Sequence, residues 1–286
     1  MQKRRLFITG SDGFTGVHLI AAAIARGWHV GTLKGDLDNL GELGKQIAEF
    51  KPTAVMHLAA ISAVTHADLS EIYRVNVIGT ENLLKVLVKS RLSFSKIILA
   101  SSAAVYGNST AGLLSETTPT KPVSHYGISK LAMEYAAATY FDRLPIVLAR
   151  PFNYTGVGHD ERFVVPKIVG HFLRKNPVIE LGDLEVEREF NDVRFVVDAY
   201  LTLLEQGQPE EVYNICSGRP IKLTNVIQTL KDLTGFDPHI KVNPAFLREN
   251  EVQLLAGDSA KLYRVVHAAK KIPLVETLRW MIAGAA

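Results

Sequence analysis

The first half of the chain alternates short apolar runs with longer stretches of helical periodicity. Residues 4–9, 28–33, 54–58, 96–101 and 146–149 are of strand length and lack the in–out alternation of a half-exposed strand. Between them, residues 15–26, 69–90 and 126–143 repeat apolar side chains three and four apart, the spacing of one helix face. Parallel strands need crossover connections, so this alternation predicts an α/β fold: a doubly wound parallel sheet with helices on both faces. Strands that are apolar on both sides fit a sheet covered on both sides.

Beyond about residue 150 the rhythm changes. Prolines recur at 151, 166, 177, 209, 220, 238 and 244, and the apolar runs shorten. The expected organisation is a large domain over residues 1–153 and a smaller C-terminal α/β lobe over 154–286. Residues 191–215, which read as helix then strand, return to the first domain's sheet. A chain of 286 residues suits such a pair. Ligands in such folds lie at the carboxyl ends of the strands, where the lobes meet.

Composition narrows the classes. Hydrophobic residues at 47% and charged residues at 21% are ordinary for a globular enzyme. The formal net charge of +3 is small and scattered, which argues against nucleic acid and against a membrane surface as partners. Cys216 is the single cysteine, so neither an internal disulfide nor a cysteine-based zinc cage can form, and no metal is expected. The apolar stretch after the basic start ends at Gly10 and Asp12, too short for a signal peptide or a span, so cytoplasm is the expected compartment.

Two patterns carry chemistry. Gly10, Gly13 and Gly16 follow the first predicted strand and open the first helix, where glycines let the backbone approach a pyrophosphate and the helix amino terminus faces the anion. This is the context of a Rossmann-type dinucleotide site. At the end of the second strand an acid selects NAD and a base accommodates the 2′-phosphate of NADP. Lys34 stands there and favours NADP, while Asp36, two residues on, could serve as the acid for NAD. Further along, Tyr126 and Lys130 are four apart and share a helix face. A nearby ammonium lowers the pKa of a phenol, and a hydroxyl such as Ser102 can hold a carbonyl in line. That spacing alone is commonplace. Its weight comes from the order of glycine loop, Ser101-Ser102, then Tyr126 and Lys130.

These residues, with His57-Leu58-Ala59-Ala60, Asn76, Ser101 to Gly107, Arg150 to Asn153, Arg188 to Asp192 and Val212 to Gly218, resemble the extended short-chain dehydrogenase/reductase family. The likeness covers nearly the whole chain and is greatest to the family's GDP-4-keto-6-deoxy-mannose reductase branch. It implies that Ser102 orients a sugar carbonyl, Tyr126 gives the proton, and Lys130 holds the nicotinamide ribose. It places Gly10, Gly13, Phe14, Thr15 and Gly16 at the pyrophosphate, Asp36 and Leu37 at the adenine, and Leu58, Ala59 and Ala60 along the cofactor ribose. Asn153 would face the sugar diphosphate, Arg188 and Arg248 the phosphates, and Glu251 the nucleotide ribose. Asn76 has a second reading, as a polar group inside a helix bonded to the neighbouring strand. Dehydratases of the family carry an acid where Ala103 and Ala104 stand, which disfavours dehydration. Epimerases of the UDP-galactose type usually have an acid where Lys34 stands. The expectation is NAD(P)H-dependent reduction of a nucleotide-diphospho-4-keto-6-deoxyhexose, with a 4-epimerase holding NAD and a non-catalytic NAD(P)-binding protein as alternatives. Relatives dimerise through a four-helix bundle, for which helices 69–90 and 126–143 are the candidates. His125 departs from the family's usual proline before the tyrosine.

Overall fold

A computed structural model describes residues 4–62, 68–109, 112–246, 252–266 and 271–284. The amino-terminal half runs β1 (Arg5–Thr9), α1 (Phe14–Ala25), β2 (His29–Thr32), α2 (Leu40–Phe50), β3 (Ala54–His57), α3 (Leu69–Tyr73), a π-helical turn (Arg74–Gly79), α4 (Thr80–Ser90), β4 (Lys96–Ala100), a 3-10 turn (Ala103–Tyr106), α5 (His125–Ala138) and β5 (Ile146–Pro151). Next come β6 (Tyr154–Thr155), α6 (Val164–Leu173), β7 (Val178–Leu181), β8 (Glu187–Arg188), β9 (Asn191–Asp192), α7 (Val193–Gln206) and β10 (Val212–Ile215). The remainder holds β11 (Ile221–Lys222), α8 (Leu223–Thr234), β12 (His239–Val242), β13 (Leu254–Leu255), α9 (Ala260–Tyr263) and α10 (Leu274–Gly284).

The central sheet is six-stranded and parallel, in the order β10-β5-β4-β3-β1-β2. Successive residues of each strand enter opposite cores. Leu6 and Ile8 of β1, Met56 of β3 and Ile98 of β4 pack with α1 and α7. Phe7, Val55, Ile97 and Leu99 pack with α2, α4 and α5. Both faces are therefore dry, which explains why the strand sequences do not alternate. A third core joins α6, α8 and α10 to β7, and a three-stranded sheet orders β11-β8-β13 beside it.

The helix expected over 69–90 keeps its ends but contains the π turn, a wide turn often found at functional sites. The helix expected over 126–143 stops at Ala138. Helix α2 was not foreseen, although Asn39 caps it by accepting from the Glu42 N–H at 3.1 Å and Leu43 and Ile47 bury its inner face.

Candidate functional site

All strands of a parallel sheet point one way, so the turns after β1, β3, β4 and β5 gather at one edge. Gly10 sits after β1 with φ +68°, and a Cβ there would stand 2.6 Å from the Ala59 nitrogen and 2.8 Å from the Leu58 carbonyl carbon. Gly16 seats α1 against the loop, since its Cβ would fall 2.3 Å from the Gly10 oxygen. Gly13 is different: a Cβ there meets only the Gly10 oxygen, at 3.4 Å. It is the N-cap of α1, with no side-chain cap and no acid in the first turn. The first N–H groups of α1 thus carry no side-chain cap, an arrangement suited to accepting a pyrophosphate. The loop fits a dinucleotide.

Neighbouring side chains close the loop's flank. Phe14 stacks on His159 with centroids 4.2 Å apart, and the Thr15 hydroxyl is 2.7 Å from the Tyr154 hydroxyl. At the end of β2, Lys34 is exposed, and its backbone N–H and carbonyl are clasped by the Gln46 side chain at 2.9 and 2.8 Å. Asp36 is exposed and accepts the Asp38 N–H at 3.1 Å. Leu37 is buried in the second core. Arg74, on the π turn, pairs with Asp38 and lies 3.9 Å from Asp36.

A chain of buried hydrogen bonds fixes the strap Leu58-Ala59-Ala60. Thr80 Oγ1 donates to the Asn76 carbonyl at 2.8 Å, so it accepts from His57 Nε2–H, 2.8 Å away. His57 Nδ1 then accepts from Thr9 Oγ1 at 2.6 Å, and Thr9 Oγ1 accepts the Ala59 N–H at 3.3 Å. Burial, assisted by the Lys130 charge, pushes His57 down to about 3, so it stays neutral. The Asn76 amide takes the Ile61 N–H at 2.8 Å and donates to the Ile61 carbonyl and Ser129 Oγ, each at 3.0 Å. Ser129 Oγ donates to the Tyr126 carbonyl at 2.8 Å. Asn76 therefore ties the strap after β3 to the start of α5, a structural role like its second reading but with a loop and a helix, not a strand, as partners.

Ser124 caps α5 by accepting the Gly127 N–H at 3.1 Å. Gly127 lets the helix settle on the 3-10 turn, for a Cβ there would be 2.6 Å from the Ala104 oxygen. This brings Tyr126 to Ser102. Ser102 Oγ accepts the Ala104 N–H at 3.1 Å, and its hydroxyl lies near enough to the Tyr126 phenol to favour the ionised form. Lys130 Nζ donates to the Ala100 carbonyl at 2.8 Å and lies 6.0 Å from the Tyr126 ring centroid.

Burial, with Tyr154 adding, pushes the Tyr126 phenol up to about 12, and Ser102 opposes only part of it. Burial pushes the Lys130 ammonium itself down to about 8, while Glu134 opposes the fall. At neutral pH Tyr126 keeps its proton.

Among the substrate candidates, Asn153 is exposed beyond β5, and its carbonyl accepts the Asn191 N–H at 2.9 Å. Arg188 lies on β8, where its guanidinium donates to the Glu187 carbonyl at 2.9 Å. Arg248 and Glu251 lie outside the described residues. His125 Nδ1 is 3.0 Å from the Tyr73 hydroxyl, at the exposed start of α5. Among the described residues no cluster of His, Cys, Asp and Glu could hold a metal ion, and no helix is long and apolar enough to cross a membrane.

Sequence reasoning did not single out Ser101, Tyr106, Glu134 and Asn214, which form a buried polar cluster with Arg150 beneath the site. The one local signal was Glu134, four residues after Lys130 and so on the same helix face.

Comparison with known proteins agrees with this geometry. A GDP-6-deoxy-D-talose 4-dehydrogenase from Aggregatibacter actinomycetemcomitans is 34% identical over 267 residues, 92% of this chain and 91% of the relative. A GDP-6-deoxy-D-mannose reductase from Pseudomonas aeruginosa is 33% identical over 299 residues, 98% of this chain and 96% of the relative. The structure of RMD from Pseudomonas aeruginosa complexed with NADPH superposes with a TM-score of 0.92 at 32% identity, covering 99% of this chain and 98% of that one. The NAD-dependent epimerase/dehydratase family model matches residues 6–216. The chain belongs to that family.

Proposed function

We propose that the protein is an NADPH-dependent reductase of a GDP-linked 4-keto-6-deoxyhexose. The observation that carries this reading is the half-buried Tyr126 phenol, protonated at neutral pH and close to Ser102, with Ala103 and Ala104, which can neither give nor take a proton, following that serine. Two relatives named for redox chemistry on GDP-6-deoxyhexoses support the substrate class.

The chain's own residues divide the work. The Ala104 N–H donates to Ser102 Oγ and leaves the Ser102 hydroxyl proton free to serve a ligand. Two hydroxyl donors, Ser102 and Tyr126, then converge where one carbonyl oxygen can accept both. Tyr126 completes the transfer by giving its proton to the developing alkoxide, which leaves a tyrosinate that the Lys130 ammonium stabilises. Gly10, Gly13, Phe14, Thr15 and Gly16 would hold the pyrophosphate of NADPH, which would supply the hydride. Leu58, Ala59 and Ala60 would pass along its ribose, with Asp36 and Leu37 at the adenine. Asn153, Arg188, Arg248 and Glu251 would hold the nucleotide diphosphate.

The preference for NADP over NAD rests on the exposed Lys34 at the end of β2. Lys34→Asp should weaken NADPH binding relative to NADH by roughly tenfold, measured by cofactor fluorescence. We assign a homodimer to the outward face of α3, the π turn and α5, which exposes Leu69, Ile78, Ile128 and Tyr135. The experiment for the activity is turnover of GDP-4-keto-6-deoxy-mannose by the purified protein with NADPH. Consumption of NADPH supports the reading. Interconversion of UDP-glucose and UDP-galactose without added cofactor contradicts it.

A further inference from the structure

Burial works against the charge that Lys130 must carry, so its surroundings decide whether the ammonium persists. From β3 it faces His57, which is neutral. On its own helix it has Tyr126 before it and Glu134 one turn after it. From β5, Arg150 reaches Glu134 rather than Lys130. Beyond Arg150 stands Tyr106 of the 3-10 turn. Glu134 lies one helical turn after Lys130 on the same face of α5, and it is held to Ser101, the residue next to the Ala100 carbonyl that accepts from Lys130.

Its placement is over-determined. Glu134 and Arg150 are 5% and 6% exposed. Arg150 grips both carboxylate oxygens, with Nε 2.9 Å from Oε1 and Nη2 2.6 Å from Oε2. Ser101 Oγ donates to Oε1 as well. Arg150 Nη1 donates to the Tyr106 hydroxyl at 2.9 Å, which donates to Asn214 Oδ1 at 2.7 Å. Ser101 lies between Ala100, whose carbonyl accepts from the Lys130 ammonium, and Ser102, the hydroxyl near Tyr126. A buried ion pair is a poor source of stability compared with well-packed apolar side chains. Its position under the proton-transfer set gives it another use.

We propose that Glu134, clamped by Arg150 and Ser101, is a positioning residue that keeps Lys130 an ammonium and holds it on the Ala100 carbonyl beside Tyr126. Its bearing on turnover rests on the reductase reading, but the device belongs to the free protein. It is tested there by NMR titration of protein labelled with 13C at lysine Cε, the Lys130 signal being assigned with Lys130→Met. In Glu134→Gln the Lys130 midpoint should fall by about one pH unit or more. If the unpaired Arg150 prevents folding, Glu134→Gln combined with Arg150→Met removes both charges and should still lower it. A purely structural role would lower the melting temperature and leave the midpoint unchanged in a folded variant, and that result overturns the proposal. A moved midpoint in a protein that reduces no keto-sugar would refute the reductase reading and leave this inference standing.

Discussion

Tyr126 holds its proton at neutral pH because desolvation, with Tyr154 adding, pushes its phenol up to about 12, and Ser102 opposes only part of that. A protonated phenol suits carbonyl reduction, which consumes a proton, better than abstraction, which needs a base. Tyr126→Phe should therefore cut kcat by about 10²–10⁴-fold, with NADPH affinity and melting temperature near those of the wild type. Equal loss of cofactor affinity would place Tyr126 in binding instead. The pH dependence follows from Lys130. Its ammonium is present below about 8 and is lost above it, so kcat/KM for the free enzyme should be level near pH 7 and fall as pH rises through about 8. The glycine loop and the Tyr126–Lys130 pair were legible because chain order and helix spacing are local properties. The direction of the phenol's shift was not, since burial is set by strands and helices far away in sequence. Glu134 and Arg150 escaped for the same reason: one is on α5, the other on β5, and only the fold joins them.

At the scale of elements, the π turn is the least expected and among the most used. It carries Asn76, which spans from the Ile61 backbone to Ser129, and it leads into Thr80, which fixes the His57 tautomer. Asn76→Ala would leave the buried Ile61 N–H and carbonyl without that partner. It should cost about 2 kcal/mol or more in chemical denaturation, and a loss below half of that would show that water replaces the amide. The same network makes an acid prediction. His57 and His159 are both pushed down by burial, to about 3 and about 4. An unfolded histidine takes its proton near its ordinary 6.5. Between these values the unfolded state binds more protons, so stability is full above about 6.5 and declines as pH falls toward 4. A melting temperature level from pH 7 to 4 would contradict this. The strands were legible from their two-sided apolar runs. The π turn was not, because its sequence keeps helical periodicity, and α2 was passed over although Asn39 and Glu42 marked its start.

For the whole molecule, the parallel sheet gathers the glycine loop, the strap after β3, Ser102 and Asn153 at one edge, and α5 lays Tyr126 across it. The opposite face of α5 is left apolar: Ile128 and Tyr135 are 41% and 68% exposed, with Ile78 of the π turn at 51%. Tyr135→Glu with Ile128→Glu should give a folded monomer by light scattering, where the wild type should run as a dimer; a wild-type monomer would remove that interface. The central claim, hydride and proton delivery to a sugar carbonyl, is tested most directly by isotope transfer. The protein would be given NADPH deuterated at both C4 positions of the nicotinamide, with GDP-4-keto-6-deoxy-mannose, and the product examined by NMR. The account predicts deuterium at C4 of the 6-deoxyhexose and none elsewhere. A product without deuterium at C4, or no product while NADPH remains bound, would contradict it.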